Sequence, residues 1–229
     1  MSEHTTFSLS KPGRKIHAGV VLMNSVTELL DIGVVDLLGS IDKKNVEKFP
    51  EEIYSDEHKA QALEVEIHWV NETGGAGKLS PNLTLQATDS FETCPPLDIV
   101  VMGACEFAYT PTEAELNFIR KAYSDCSAFI AVCGGMMTPM QAGLLKGKTA
   151  TCPLPILSQL EATAPETTWV RKRFHRDGKL WTTGTLLNGL DAMAEFADET
   201  WGGKGTLMDH AMKMCAWPRR DVYYKDVEA

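Results

Sequence analysis

The chain has 229 residues, 44% hydrophobic and 23% charged, which suits one substantial α/β domain and excludes disordered and fibrous classes. A formal charge of −9 leaves no basic surface to neutralise phosphates, so nucleic-acid binding is not expected. No run reaches the ~18 apolar residues of a membrane span, and the polar first six residues lack a signal-peptide core. The six cysteines are therefore expected to be reduced thiols of a cytoplasmic protein with no membrane contact.

Residues 1–14 read as a flexible arm and 15–229 as a single domain. The near-continuous apolar run 15–23 has the character of a buried parallel strand. A helix is expected over 27–38, where Leu30, Val34, Leu37 and Leu38 recur at helical spacing. Residues 43–64 are charged, contain Pro50 and read as a surface excursion. Strands are expected at 65–70 and 82–88, both alternating, joined as a hairpin by the glycine-rich stretch Gly74–Gly77. That stretch fails the phosphate-loop pattern, because Glu72 stands where a glycine is required and Leu79 where Ser or Thr should follow the lysine.

Further along, 97–103 is a buried strand, and 111–123 is an amphipathic helix with Leu116, Ile119 and Tyr123 on one face. An apolar strand occupies 127–132, with a helix-compatible stretch behind it. Residues 168–183 read as a hairpin turning at Asp177-Gly178, a strong two-residue turn signal. Helices at 187–201 and 206–215 close the chain. Strands alternating with helices imply an α/β fold, a mostly parallel sheet covered by helices on both faces.

Chemistry in such a sheet gathers beyond the carboxyl ends of the strands. Cys133 ends the strand 127–132, and Ala131, Cys133 and Gly135 form the small-x-Cys-x-Gly pattern of a nucleophile elbow. Small neighbours are needed there because the nucleophile's backbone is strained and the chain folds back closely. Asp31, the Gly103-Ala104-Cys105 segment and Cys152 fall at the same edge. Neither a metal nor an organic cofactor is expected: there is no His-Glu-x-x-His, no Cys-x-x-Cys and no dinucleotide fingerprint. His17, His68 and His175 read as packed or exposed strand residues.

The same segments carry a family resemblance, over roughly 15–42 and 95–202. Glu28-Leu-Leu-Asp31-Ile-Gly33 is similar to the E-L-L-D-x-x-G segment of the ThiJ/PfpI superfamily. The run Ala131-Val-Cys133-Gly-Gly135 followed by 142–151 resembles that family's A-V-C-x-G and A-G-L-L-x-G-x-x-A-T-T. The Asp177-Gly178, Thr182-Thr-Gly184 and Gly189-Leu-Asp191 landmarks follow in order. The resemblance implies a flavodoxin-like, class I glutamine amidotransferase-like fold, a homodimer, and a cysteine nucleophile with an acid beside it. Two positions depart from the family: the usual histidine after Ala-Thr-Thr is replaced by Cys152, and the Gly-Gly turn reads Gly103-Ala104.

The resemblance is nearest to isonitrile-hydratase-like members, and it implies a hydratase or lyase acting on a small electrophilic metabolite. Cys133 would attack, Asp31 would shuttle the proton, and the backbone N–H groups of Gly134 and Ala104 would stabilise negative charge. Cys152 and Cys105 would line the pocket. Two alternatives remain: a non-catalytic redox- or ligand-responsive protein, in which Cys133 could link to Cys152, and a glyoxalase-like lyase.

Overall fold

The structure, a computed structural model, describes residues 7–226. Seven strands form the central sheet: β1 (Ile16–Val21), β2 (Val65–Asn71), β3 (Asp89–Ser90), β4 (Ile99–Met102), β5 (Ala128–Ala131), β6 (Phe174–Asp177) and β7 (Leu180–Thr183). Their order across the sheet is β6-β7-β5-β4-β1-β2-β3. Every neighbouring pair is parallel except β6 and β7, an antiparallel hairpin turning at Asp177-Gly178, with Gly178 at φ 61°. β4 and β5 are buried at every residue, as strands covered on both faces must be.

Alternation along the strands feeds two apolar cores. Ala18, Val20, Ile99, Val101, Ile130 and Val132 pack on one face beneath Leu29–Ile32, Asp36–Gly39, Asn188–Trp201 and Leu207–Met214. Val21, Val100, Met102, Phe129 and Ala131 pack on the other, beneath Glu113–Asp125 and Leu154–Thr163. Among the described residues no helix is long and apolar enough to cross a membrane.

Helix α1 (Glu113–Asp125) is set by a capping box. Thr112 Oγ1 accepts the Glu115 N–H at 3.2 Å, and the Glu115 carboxylate accepts the Thr112 N–H at 2.7 Å. Glu115 is fully buried, yet its carboxylate is satisfied by two further donors, Asn24 N–H and the Tyr109 hydroxyl, both at 2.7 Å. One buried acid thus ties the loop after β1 to the segment after β4, two of the loops that meet at the carboxyl edge.

Several expectations need correction. The helix expected over 27–38 starts later and is broken, as Leu29–Ile32, a 3-10 turn at Gly33–Val35, and Asp36–Gly39, because Val26–Thr27 pairs with Lys78–Leu79. Gly74–Gly77 does not connect a hairpin between 65–70 and 82–88. Ala76–Leu79 is itself a strand, antiparallel to Leu83–Gln86, and the turn lies at Ser80–Asn82, with Asn82 at φ 64°. Thr168–Trp169 leaves the 168–183 hairpin to pair in parallel with Thr149–Ala150. The excursion 43–64 carries two short helices, Lys43–Val46 and Asp56–Lys59.

Of the expected arm, residues 1–6 lie outside the described residues, and 7–14 are docked rather than flexible. Leu9 is buried, its carbonyl accepts the Trp201 indole N–H at 2.8 Å, and Arg14 pairs with Asp98 through two hydrogen bonds.

Candidate active site

Three turns converge beyond the carboxyl ends of β1, β4 and β5. At the end of β5, Val132 is still extended, and Cys133 then adopts φ 57° before the 3-10 turn Cys133–Met136. A left-handed backbone at a non-glycine residue is strained and is held only where the surroundings impose it. Here the Cys133 N–H donates to Thr183 Oγ1 at 2.9 Å, and the Gly135 N–H donates to the Val132 carbonyl at 2.8 Å. A Cβ on Gly135 would lie 2.5 Å from the Met102 carbonyl oxygen, so only glycine lets the elbow close on the end of β4.

The turn after β4 is held as tightly. A Cβ on Gly103 would lie 2.9 Å from both Asp31 Cβ and Ile32 Cγ2. The Ala104 carbonyl accepts the Glu28 N–H and the Ala104 N–H donates to Asp31 Oδ2, each at 2.8 Å. Asp31 has no solvent exposure, and its second oxygen, Oδ1, has no hydrogen-bond partner. Burial raises its pKa to about 7, against the pull of the Ala104 N–H, and the nearby Glu28 charge adds to the rise. Near neutral pH this carboxyl is therefore balanced between its acid and its anion.

The Cys133 thiol is also raised above the ordinary cysteine range, first by burial and then by the negative charge of Asp31. The backbone N–H groups of Gly134 and Leu186 act the opposite way and favour the thiolate. A negative charge on Asp31 opposes ionisation of Cys133, so the thiol tends to keep its proton while the carboxylate is charged. The arrangement is a strained sulfur facing backbone donors, beside a buried acid that can give or take a proton at neutral pH.

Comparisons with known proteins identify the family and the fold. The DJ-1/PfpI family profile matches residues 51–200. The chain belongs to the DJ-1/PfpI family. It is 32% identical over 151 residues to an isonitrile hydratase of Pseudomonas putida, an alignment covering 62% of this chain and 63% of that protein. The DJ-1/PfpI fold is equally clear among solved structures. A ThiJ/PfpI family protein from Pseudomonas syringae superposes with a TM-score of 0.66 at 18% identity, covering 93% of this chain and 80% of that one. Drosophila melanogaster DJ-1beta superposes at 0.67 and 17% identity, covering 90% of this chain and all of the other.

Within this DJ-1/PfpI site the structure brings together Cys133, Gly134, Asp31 and Ala104. Ala104 needs a correction. Its single N–H, expected to face a developing oxyanion, is already given to Asp31 Oδ2. The backbone N–H of Leu186 acts with that of Gly134 to favour negative charge on the sulfur. Cys152 is fully buried, and burial pushes its thiol up to about 12. It packs in the second core together with the half-buried Cys105, whereas Cys133 packs against the first. The Cys105 thiol is raised above its ordinary range by burial. Among the described residues no histidine figures among the groups that act on the Cys133 thiol. Thr183 and Leu186 were missed from sequence because they reach the elbow through strand register and a backbone N–H, which leave no local motif.

Proposed function

We propose that this DJ-1/PfpI protein is a cysteine-dependent, cofactor-independent hydratase of a small electrophilic metabolite, with isonitriles as the substrate class. The observation that carries the reading is the pairing of a strained Cys133 with a buried Asp31 poised near pH 7, whose Oδ1 lacks a partner. The similarity to an isonitrile hydratase supports the substrate class.

In this mechanism protonated Asp31 gives its proton to the terminal isonitrile carbon while Cys133 Sγ bonds to the same carbon. The thiol proton passes to the Asp31 carboxylate, leaving a thioimidate, R–N=CH–S, on the enzyme. Water then adds to that carbon, the nitrogen takes up a proton, and the C–S bond breaks with return of a proton to sulfur. The product is the N-substituted formamide. Gly134 and Leu186 N–H groups stabilise negative charge on sulfur as the C–S bond forms and breaks. No amine has to be expelled, so the absence of the family histidine, whose place in the Ala-Thr-Thr-His run falls at Pro153 with Cys152 at the second threonine, is tolerated here in a way an amidotransferase would not allow.

The redox alternative has less support, because a thiol with a raised pKa is a poor target for peroxide. A homodimer, implied by the family resemblance and checked by sedimentation velocity, and a cytoplasmic location, expected from the polar N-terminus and scattered cysteines, complete the proposal.

The test is incubation with a small alkyl isonitrile and quantification of the formamide by NMR. Wild type should turn over and Cys133→Ala should not. Equal formamide yield from both proteins, or none from the wild type with several isonitriles, would refute the assignment.

A further inference from the structure

At the opposite end of the sheet a second constellation forms where β1 meets β2. The parallel register sets His17 against Glu66 and Gly19 against His68. Val65, Ile67 and Trp69 turn to the first core, so Glu66 and His68 share the other face with His17. His17 Nδ1 lies 2.9 Å from His68 Nε2 and 3.9 Å from Glu66 Oε2. All three donor atoms lie within 4.8 Å of one another, the one such group of His, Cys and carboxylate among the described residues.

We propose that His17, His68 and Glu66 form a binding site for a divalent transition-metal ion, Zn²⁺ being the best match to two imidazoles and one carboxylate. An ion about 2.0–2.2 Å from each donor requires ligand atoms ~3–4 Å apart. The imidazole pair already meets that spacing to within a few tenths of an ångström. Glu66 completes it by rotating a side chain that is half exposed.

The surroundings orient the ligands. His68 is 7% exposed, and its other ring nitrogen, Nδ1, donates to Asp89 Oδ2 at 2.8 Å. This is the carboxylate–histidine arrangement that fixes the tautomer of a ligating imidazole and aims the Nε2 lone pair at the ion. Asp89 is held in turn by the Thr88 hydroxyl at 2.6 Å. With His68 Nδ1 protonated, the proton between the rings belongs to His17 Nδ1. It moves to His17 Nε2 on binding, which frees the Nδ1 lone pair. Lys15, 2.8 Å from Glu66 Oε2, must release that oxygen, and both side chains are exposed enough to part. The cluster lies at the start of β1, away from Cys133, so occupancy would not take part in the chemistry proposed above.

The experiment is a Zn²⁺ titration of the full chain, in a Cys215→Ser background that removes the exposed thiol, followed by histidine ¹H–¹⁵N long-range spectra and calorimetry. One equivalent should shift His17 Nδ1 and His68 Nε2. His17→Ala should weaken binding at least ~10-fold, and Asp89→Asn by ~10–100-fold through the orientation of His68. Glu66→Gln, at an exposed position that cannot upset folding, should also weaken binding. Unmoved His17 and His68 resonances at millimolar Zn²⁺, or wild-type affinity in His17→Ala and Glu66→Gln, would overturn the site.

Discussion

In the proposed mechanism Asp31 carries the proton to carbon, and its burial also bears on stability. Its pKa of about 7 places the acid form below neutrality and the anion above it. If the acid delivers the proton to carbon, kcat/KM should fall as pH rises through about 7, and Asp31→Asn should lower kcat by ~10²–10⁴-fold with the pH dependence removed. The same shift has a stability consequence of definite sign. The folded pKa lies above the unfolded value of 3.8, so the native state binds the extra proton between about pH 4 and 7. Stability is therefore lost as pH rises across that window and stays lost above it. Asparagine can keep the Ala104 hydrogen bond without the charge. Asp31→Asn should thus be more stable than wild type at pH 8, by up to about 4 kcal/mol from a shift of ~3 pH units, with the gap closing near pH 4. Urea denaturation at the two pH values checks this.

At the scale of elements, the site depends on three turns meeting without side chains between them. Gly135→Ala would push a methyl group into the Met102 carbonyl, and overpacking of this kind costs ~1–3 kcal/mol. Denaturant midpoints should show that loss, with Cys133 reactivity changed as the elbow shifts. The elements legible in sequence were those with strong local signals. β4 and β5 are unbroken apolar runs because both their faces are covered, β1 is interrupted only by His17, and Asp177-Gly178 names its own turn. The helix α2 (Leu154–Thr163) escaped detection because Pro153 and Pro155 open it and only Leu160 is buried along it. The turn at Ser80–Asn82 was overlooked because the glycines at 74–77 gave a stronger but misleading signal.

Cys133 and Asp31 were legible because each sits in a short motif of its own. The His17–Glu66–His68 cluster was not, since residues far apart in sequence meet only through the pairing of β1 with β2.

At the scale of the whole molecule, the C-terminal segment straps the site's rim to the sheet. Arg173, 2% exposed, gives its N–H to the Val222 carbonyl and its Nε–H to the Asp221 carbonyl, and pairs with Asp226. Tyr224 donates its hydroxyl to Asn188 Oδ1 at 2.8 Å, beside Gly184, and Arg220 pairs with the buried Asp191 at 2.7 Å. Deleting the chain beyond Trp217 would leave Arg173 and Asp191 as buried, uncompensated charges. The truncated protein should be destabilised by ~3–5 kcal/mol, read from its denaturation midpoint. An unchanged midpoint would mean that the strap contributes nothing to the fold.

The coupling of Cys133 to Asp31 is the central claim, and the pH profile of Cys133 alkylation, followed by peptide mass spectrometry, tests it most directly. Wild type should react slowly at pH 7, with a midpoint above that of an ordinary thiol. Asp31→Asn should move the midpoint down and speed alkylation at pH 7, because the opposing charge is gone. Superimposable profiles for the two proteins would contradict the pairing and, with it, the role assigned to Asp31.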